Sequence, residues 1–223
     1  MGRDKEKMIK MKKTIFLTCL ICSLAAAANP PQLNTEQEDD TQRRYFVGST
    51  LLMLGNFIPN DPNRPDFVQI NLGYRITPKH VVFLELKTSK FNWPLGMPWS
   101  ELVDEQRQQY NFPGYVRQYL VGAAYNYFWW KGLYTGVHTM HAYQVYNNEN
   151  GVEIATGYTL FVTYRLGYHF RFFDNLFFIE PSIGLTHWPI KTNTPPAFEA
   201  KESRWPKYFG FEPGLHFGFN FNL

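Results

Sequence analysis

Residues 208–223 read YFGFEPGLHFGFNFNL, and taken in twos they separate into two very different faces. Phe209, Phe211, Pro213, Leu215, Phe217, Phe219 and Phe221 fall on one phase; Gly210, Glu212, Gly214, His216, Gly218, Asn220 and Asn222 fall on the other. Strict period-two alternation is the mark of a β-strand. In a water-soluble protein the polar phase would face solvent and the apolar phase a core. Here the apolar phase is almost all Phe and the polar phase is half Gly. Bulky aromatics outside, with small or ionisable groups inside, is the arrangement of a narrow barrel in lipid.

Composition is compatible with that reading. The chain of 223 residues is 18% aromatic, with 20 Phe and 14 Tyr, yet its mean hydropathy is negative. Alternation averages apolar with polar in every window, so a barrel gives no bulk signal. A helical bundle in lipid is excluded, because no apolar run of about 20 residues follows the N-terminal region. That region reads as a signal peptide over residues 1–28: Lys10, Lys12 and Lys13 before an apolar Thr14–Leu24, then Ala25–Ala28 with small-residue cleavage sites. Cys19 and Cys22 both lie inside it, so the mature chain has no thiol chemistry. Removing Met1–Ala28 takes away six Lys/Arg and two Asp/Glu, leaving 16 against 17 and excluding a basic nucleic-acid-binding role. Residues 29–43 are polar and acidic and read as a disordered periplasmic tail; the barrel spans 44–223.

Eight alternating runs follow. Tyr45–Leu54 places Tyr45, Val47, Leu51 and Met53 outward and Gly48 and Thr50 inward. Phe67–Ile76 places Val68, Ile70, Leu72, Tyr74 and Ile76 against Gln69, Asn71, Gly73 and Arg75. His80–Lys90 sets Val82, Leu84 and Leu86 against Glu85, Lys87 and Ser89. Tyr115–Trp129 and Leu133–Tyr146 are the fourth and fifth runs, the fifth being the least regular. Ile154–Phe172, Leu176–Trp188 and Tyr208–Leu223 complete the set. Thr77-Pro78-Lys79, Lys131-Gly132 and Asp174-Asn175 are tight turns, whereas the other connections are longer. Short turns on one rim and long loops on the other, with both chain ends on the short side, form the outer-membrane pattern. The fold class is therefore all-β, an eight-stranded antiparallel up-and-down transmembrane barrel. A soluble barrel of lipocalin type would need the aromatic phase inside, where so many Phe and Tyr rings would not fit a bore of eight strands.

With these features the chain resembles the small eight-stranded bacterial outer-membrane barrels, the OmpA-, OmpX- and OmpW-like group. The resemblance covers about Tyr45 to Leu223 and rests on pattern together with the terminal Phe217-Gly218-Phe219-Asn220-Phe221-Asn222-Leu223, which is similar to a barrel-assembly signal but ends on Leu where Phe is commoner. It implies a Gram-negative outer-membrane location, contact with outer-membrane lipids and lipopolysaccharide, and recognition by the barrel-assembly machinery. No functional motif is carried over from that group.

The inward phase collects Arg75, Glu85, Lys87, Asn126, His138, Arg165, His169, Glu180, Glu212 and His216. Charges inside a barrel must be paired or hydrogen-bonded, so these residues are expected to form a structural plug. Turn lengths set the register. A two-residue turn at Asp174-Asn175 puts His169 opposite Glu180; a three-residue turn at Thr77-Pro78-Lys79 puts Asn71 opposite Glu85 and Gln69 opposite Lys87. Ile179-Glu180-Pro181 and Phe211-Glu212-Pro213 each place an inward Glu before an outward Pro, which cannot donate to a ladder and marks a bulge or a missing bond.

Two alternative functions are open. Glu180 and Glu212 with His138, His169 and His216 form a narrow transport or sensing lumen, although the spacing matches no metal motif. A lipid-A-modifying enzyme would need a His with a Ser at the outer rim; His141 and His187 lie on the outward phase without a suitable Ser. The long loops carry Trp93, Trp99, Phe198 and Trp205 as contacts for partners, surface sugars or headgroups, and Ser100-Glu101 begins a short helix. The expected role is that of a monomeric, non-enzymatic outer-membrane barrel with a filled polar interior, no cofactor and no metal.

Overall fold

The computed structural model describes residues 43–57, 65–102 and 105–223. The segment 1–28 read as a signal peptide, nearly all of the tail 29–43, part of the Asn56–Asp66 loop and Val103 lie outside the described residues. The strands are β1 (Tyr45–Thr50), β2 (Val68–Arg75), β3 (His80–Phe91), β4 (Tyr115–Trp130), β5 (Leu133–Asn147), β6 (Glu153–Tyr168) with its continuation β7 (Phe170–Phe172), β8 (Phe177–Thr192) and β9 (Tyr208–Phe221). Each pairs antiparallel with its chain neighbours, β6 and β7 both pair with β8, and β1 closes the sheet on β9. The result is an up-and-down ring of eight strands. Among the described residues the ring closes through β1 and β9, and the short β7 is paired on one side, to β8.

The turns set the register as their lengths dictate. In β2–β3, Asn71 faces Glu85 and Gln69 faces Lys87. The Thr77 carbonyl accepts from the His80 amide at 3.2 Å to close the turn. Lys131 and Gly132 join β4 to β5 with φ of 44° and 99°, and Asp174 and Asn175 join β7 to β8 with φ of 51° and 62°. Two successive positive φ angles define the hairpin turn that matches strand twist.

Three boundaries differ from the sequence reading. β1 ends at Thr50, and Leu51–Phe57 forms a 3-10 turn, so Leu51 and Met53 are not strand residues. β8 runs on to Thr192, past the expected end at Trp188. The sixth run is interrupted at His169, whose amide turns to the Gly132 carbonyl at 2.8 Å. This break lies across from Glu180-Pro181, where proline has no N–H to give. Pro213 has its irregularity too: the β8–β9 register shifts between Gly184 and Thr186, opposite Phe209–Glu212, and Phe211 takes φ 57°. The bulge reverses the phase upstream of Glu212. Phe209 therefore packs inward against Leu120, Met140, Phe161 and Trp188, contrary to its expected outward place.

The interior is layered rather than uniformly polar. Near the short turns, Phe46, Val81, Phe83, Phe128, Tyr134 and Phe178 form an aromatic cluster. These rings fit because glycines face them: a Cβ on Gly73 would lie 1.9 Å from the Phe46 ring, and one on Gly167 would lie 2.5 Å from the Tyr134 hydroxyl. Further up the bore lies the cluster of Leu120, Met140, Ala142, Phe161 and Trp188. The ionic groups are interleaved with these clusters: His169 stacks on Phe178 at 4.9 Å and Arg75 lies over Phe128. β5 contributes Tyr134, His138, Met140, Ala142 and Gln144 to this stack, all buried. Its inward phase mixes apolar and polar residues, which is why the strand looks irregular in sequence and is regular in space.

The long loops form a cap with a core of its own. Phe198, on the short helix α2 (Pro196–Glu202), is fully buried with Phe112, Val116 and Tyr146. Phe198 is thus a packing residue and not an exposed loop contact. The expected helix beginning near Ser100 is α1, Trp99–Leu102.

Candidate functional site

The inward-facing residues expected from the sequence group into a polar layer built by seven strands. Register alone brings the first pair together: His169, at the break after β6, and Glu180 on β8 sit opposite one another across the Asp174-Asn175 turn. Their atoms Nδ1 and Oε1 are 2.6 Å apart. On the other side of the same imidazole, Arg75 Nη2 lies 3.3 Å from Nε2. A guanidinium only donates, so Nε2 accepts and Nδ1 carries the proton given to Glu180. Arg75 also lies 5.7 Å from the centroid of Phe128, a cation–π contact.

A second pair forms across the bore. His138 on β5 places Nδ1 3.1 Å from Glu85 Oε2 on β3. The other carboxylate oxygen accepts from Gln69 Nε2 at 3.3 Å, and Gln69 also donates to Asn71 Oδ1 at 3.0 Å. The third centre lies nearer the long loops. Arg165 donates from Nη2 to Glu212 Oε1 at 2.9 Å and from Nη1 to Ser182 Oγ at 3.0 Å. Thr186 donates to Glu212 Oε2 at 2.7 Å. Gly214 leaves room for this arrangement, since a Cβ there would stand 2.3 Å from Arg165 Nη1 and 2.5 Å from Ser182 Oγ.

Glu180 and Glu212 do not converge on one site. Glu180 faces His216 across the β8–β9 ladder, whereas Glu212 faces Gly184. Those two positions on β8 are about 13 Å apart along the strand, and each carboxylate has its own cationic or imidazole partner. His216 is in the polar layer beside Glu180 and His138, around a void of about 20 Å³ that also touches Asn71, Arg75 and Asn126. That volume holds about one water molecule. Lys87 is set apart from the pairs and lies 5.1 Å over the Phe67 ring. Among the described residues no group of three His, Cys, Asp or Glu is placed to hold a metal ion.

The outward histidines have aromatic partners. His141 Nδ1 is 2.8 Å from the Tyr158 hydroxyl, and His187 stacks on Tyr164 with centroids 5.7 Å apart. Among the expected loop contacts, Trp93 is half-buried with its ring 6.1 Å from Phe91, and Trp205 packs edge-on to Tyr110 at 5.2 Å. The Trp99 side chain lies outside the described residues.

Sequence reasoning missed Gln69, Ser182 and Thr186 as members of the ion-pair network. Each lies on the inward phase, so the signal was present, but uncharged groups do not demand a partner as loudly as charges do. A second network of Gln144, Thr159 and Tyr146 was missed for the same reason: Thr159 donates to Gln144 Oε1 at 2.8 Å, and the Tyr146 hydroxyl does so at 2.9 Å.

The chain matches no protein-family model, and no curated protein or solved structure is significantly similar to it.

Proposed function

We propose that this chain is a bacterial outer-membrane β-barrel with a plugged bore, serving a structural or surface-interaction role without catalysis. The observation that carries the reading is the inversion of the ring: ionised groups inside, large apolar side chains outside. Leu72 is 46% exposed, Leu166 48% and Ile183 43%, while Arg165, Glu85 and Arg75 are buried. A soluble barrel arranges these the other way. Among the described strand residues the Lys and Arg on the outward phase are Lys90 and Arg117, near the long-loop end, and Asp66 binds both at 3.6 and 2.7 Å.

The outward face is also banded. Tyr45, Tyr74, Tyr127 and Trp129 gather toward the short turns, with Tyr45 and Tyr74 5.2 Å apart and Tyr127 and Trp129 4.9 Å apart. Val68, Thr88, Tyr119, Tyr143 and Tyr158 follow one another in register toward the long loops. Between Tyr119 and Tyr127 the strand climbs about 26 Å at ~3.3 Å per residue. A strand tilt of about 40° reduces this to about 20 Å, close to the apolar band height of outer-membrane barrels. Lipid accounts for this pattern, with aromatics gathered toward the two ends and a mainly aliphatic stretch between that also carries Tyr125 and Tyr164. Apolar clusters alternate with the ionic pairs along the bore, and this supports a closed bore.

The test is refolding. The urea-unfolded chain is mixed with phospholipid vesicles and analysed by unheated gel electrophoresis, trypsin protection and flotation. The expected result is a compact, protease-resistant, vesicle-bound species. A chain that folds in plain buffer and stays out of the vesicles overturns the reading. Planar-bilayer recordings then test the plug: the wild type, Glu180→Gln and Glu212→Gln are all expected to be silent, and a steady conductance that shifts in the variants would assign a transport role instead.

A further inference from the structure

The outward wall carries an ionic site of its own, at the long-loop end and apart from the interior pairs. β3 and β4 run in register there, with Lys90 opposite Arg117 and Thr88 opposite Tyr119. Side chains facing each other on an antiparallel ladder have Cβ atoms about 5 Å apart, and like charges in that position repel. Both cations turn to the same atom: Lys90 Nζ lies 3.6 Å and Arg117 Nη2 2.7 Å from Asp66 Oδ2.

The backbone holds these groups in place. The Lys90 amide donates to the Pro65 carbonyl at 2.6 Å, which brings Asp66 beside β3. The Asn56 side chain grips the next residue twice, donating to the Phe67 carbonyl at 2.7 Å and accepting from the Phe67 amide at 2.8 Å. Asp66 takes φ 41°, in the left-handed region where Asp and Asn are enriched. Lys90 Nζ is set 5.3 Å over the Tyr115 ring.

Two positive charges are thus met by one negative charge. A guanidinium has five N–H donors and an ammonium three, more than one carboxylate oxygen can use. Neither cation is sealed, since 20% of the Lys90 side chain and 27% of the Arg117 side chain are open. Among the described residues Asp66 is the only carboxylate within ion-pair distance of either.

The wall beneath indicates what carries the missing anion. Next to the cations on the same face are Thr88, Tyr119 and Tyr143, followed by the exposed Ile70, Leu86 and Val121. Arg117 stands two residues beyond Tyr119, about 5 Å higher when ~3.3 Å per residue is reduced by a strand tilt of about 40°. Tyrosines mark the bilayer interface, so the two cations lie at the level of headgroup phosphates. A soluble anion has no use for the apolar wall; the chains of a lipid run along it over Leu86 and Val121.

We propose that Lys90 and Arg117 bind the phosphate of an anionic lipid headgroup. Arg117 offers a planar fork to two phosphate oxygens, and Lys90 adds a compact point charge. The proposal rests on the membrane reading above and assigns one lipid contact of the wall.

The experiment is native mass spectrometry of the chain folded in octyl glucoside micelles, which carry no phosphate. The probes are lipid A, phosphatidylglycerol and the zwitterionic phosphatidylcholine. At least one of the two anionic lipids should bind at least tenfold more tightly than phosphatidylcholine. Lys90→Gln together with Arg117→Gln should remove at least tenfold of that affinity, whereas Lys131→Gln at the short-turn rim should not change it. Asp66→Asn removes the competing carboxylate, keeps a residue that accepts the backbone angle, and should tighten binding at least threefold; a purely structural ion pair gains nothing from it. Equal affinity for anionic and zwitterionic lipid, a double variant equal to wild type, or no gain in Asp66→Asn overturns the proposal. Displacement by excess inorganic phosphate assigns the site to a free anion and overturns the lipid assignment. Vesicle flotation is read separately: a chain that inserts but ignores lipid phosphate removes this site alone, and one that stays in water removes the membrane reading beneath it.

Discussion

Replacing Arg165 by methionine should destabilise the barrel, and replacing its partner as well should restore most of the loss. Arg165 is 6% exposed at its side chain and Glu212 is 30% exposed. Arg165→Met leaves the Glu212 carboxylate with the Thr186 hydroxyl alone and frees Ser182 Oγ. Removing one partner of a fully buried pair costs about 3–5 kcal/mol. Because Glu212 is partly open to the small polar spaces of the bore, the low end applies, about 3 kcal/mol, or roughly a hundredfold in the folding equilibrium. The double variant Arg165→Met, Glu212→Gln removes both charges and keeps a side chain that accepts from Thr186. It should fall within about 1 kcal/mol of wild type, recovering about 2 kcal/mol of the loss seen in Arg165→Met alone. Urea unfolding followed by tryptophan fluorescence, on chain folded into vesicles, measures all four corners of the cycle. A single variant within about 0.5 kcal/mol of wild type, or a double variant that loses the sum of the two singles, refutes the pairing as the stabilising element of this layer.

Three further outcomes follow from the packing. Gly218→Val should block ring closure and remove the compact gel band, because even a Cβ at Gly218 would lie 2.5 Å from the Val47 carbonyl and 2.6 Å from the Phe178 ring. Leu84→Arg, placing a charge midway along the outward face of β3, should cost about 2–4 kcal/mol of folding free energy in vesicles; Lys90→Ala near the rim should change it by less than about 1 kcal/mol, and the same urea titration compares them. Phe198→Ala, which empties a fully buried site against Phe112 and Tyr146, should unfasten the loop cap: limited trypsin digestion should cut at Lys201 or Arg204 at least tenfold faster while the strands stay protected.

Several contacts were readable in the sequence because a turn of known length converts spacing into register. Asn71 opposite Glu85, Gln69 opposite Lys87 and His169 against Glu180 all follow from counting back from a turn. The ring itself was legible from alternation and from the contrast between short and long connections. Legibility ended where a single backbone angle changes the phase. Phe209 lies on the same sequence parity as Phe217 and Phe219, but the positive φ at Phe211 turns it inward; Pro213 marks a bulge nearby without saying which residue takes that angle or which side chains change face. The interior aromatics were missed for a related reason. Phe46, Phe128, Tyr134 and Phe178 share a phase with polar residues, and their fit depends on cross-strand glycines that only the assembled ring brings opposite them. The loop cap was the least legible part, since Phe198 packs on residues from β4, β5 and the preceding connection that lie far away in sequence.

The central claim, that the apolar face of the ring meets lipid, is tested most directly on β5. Single cysteines at each position from Thr135 to Val145, in a chain lacking Met1–Ala28 and hence Cys19 and Cys22, carry nitroxide labels after refolding into vesicles. Collision rates with oxygen, which concentrates in lipid, and with a water-soluble nickel complex are then read by electron paramagnetic resonance. The account predicts a period of two: high oxygen and low nickel contact at Val137, Thr139 and His141, and low contact with both at Gly136, His138 and Met140. High nickel contact along the outward phase, equal to that of the exposed Asn150 loop position, would place that face in water and contradict the membrane assignment.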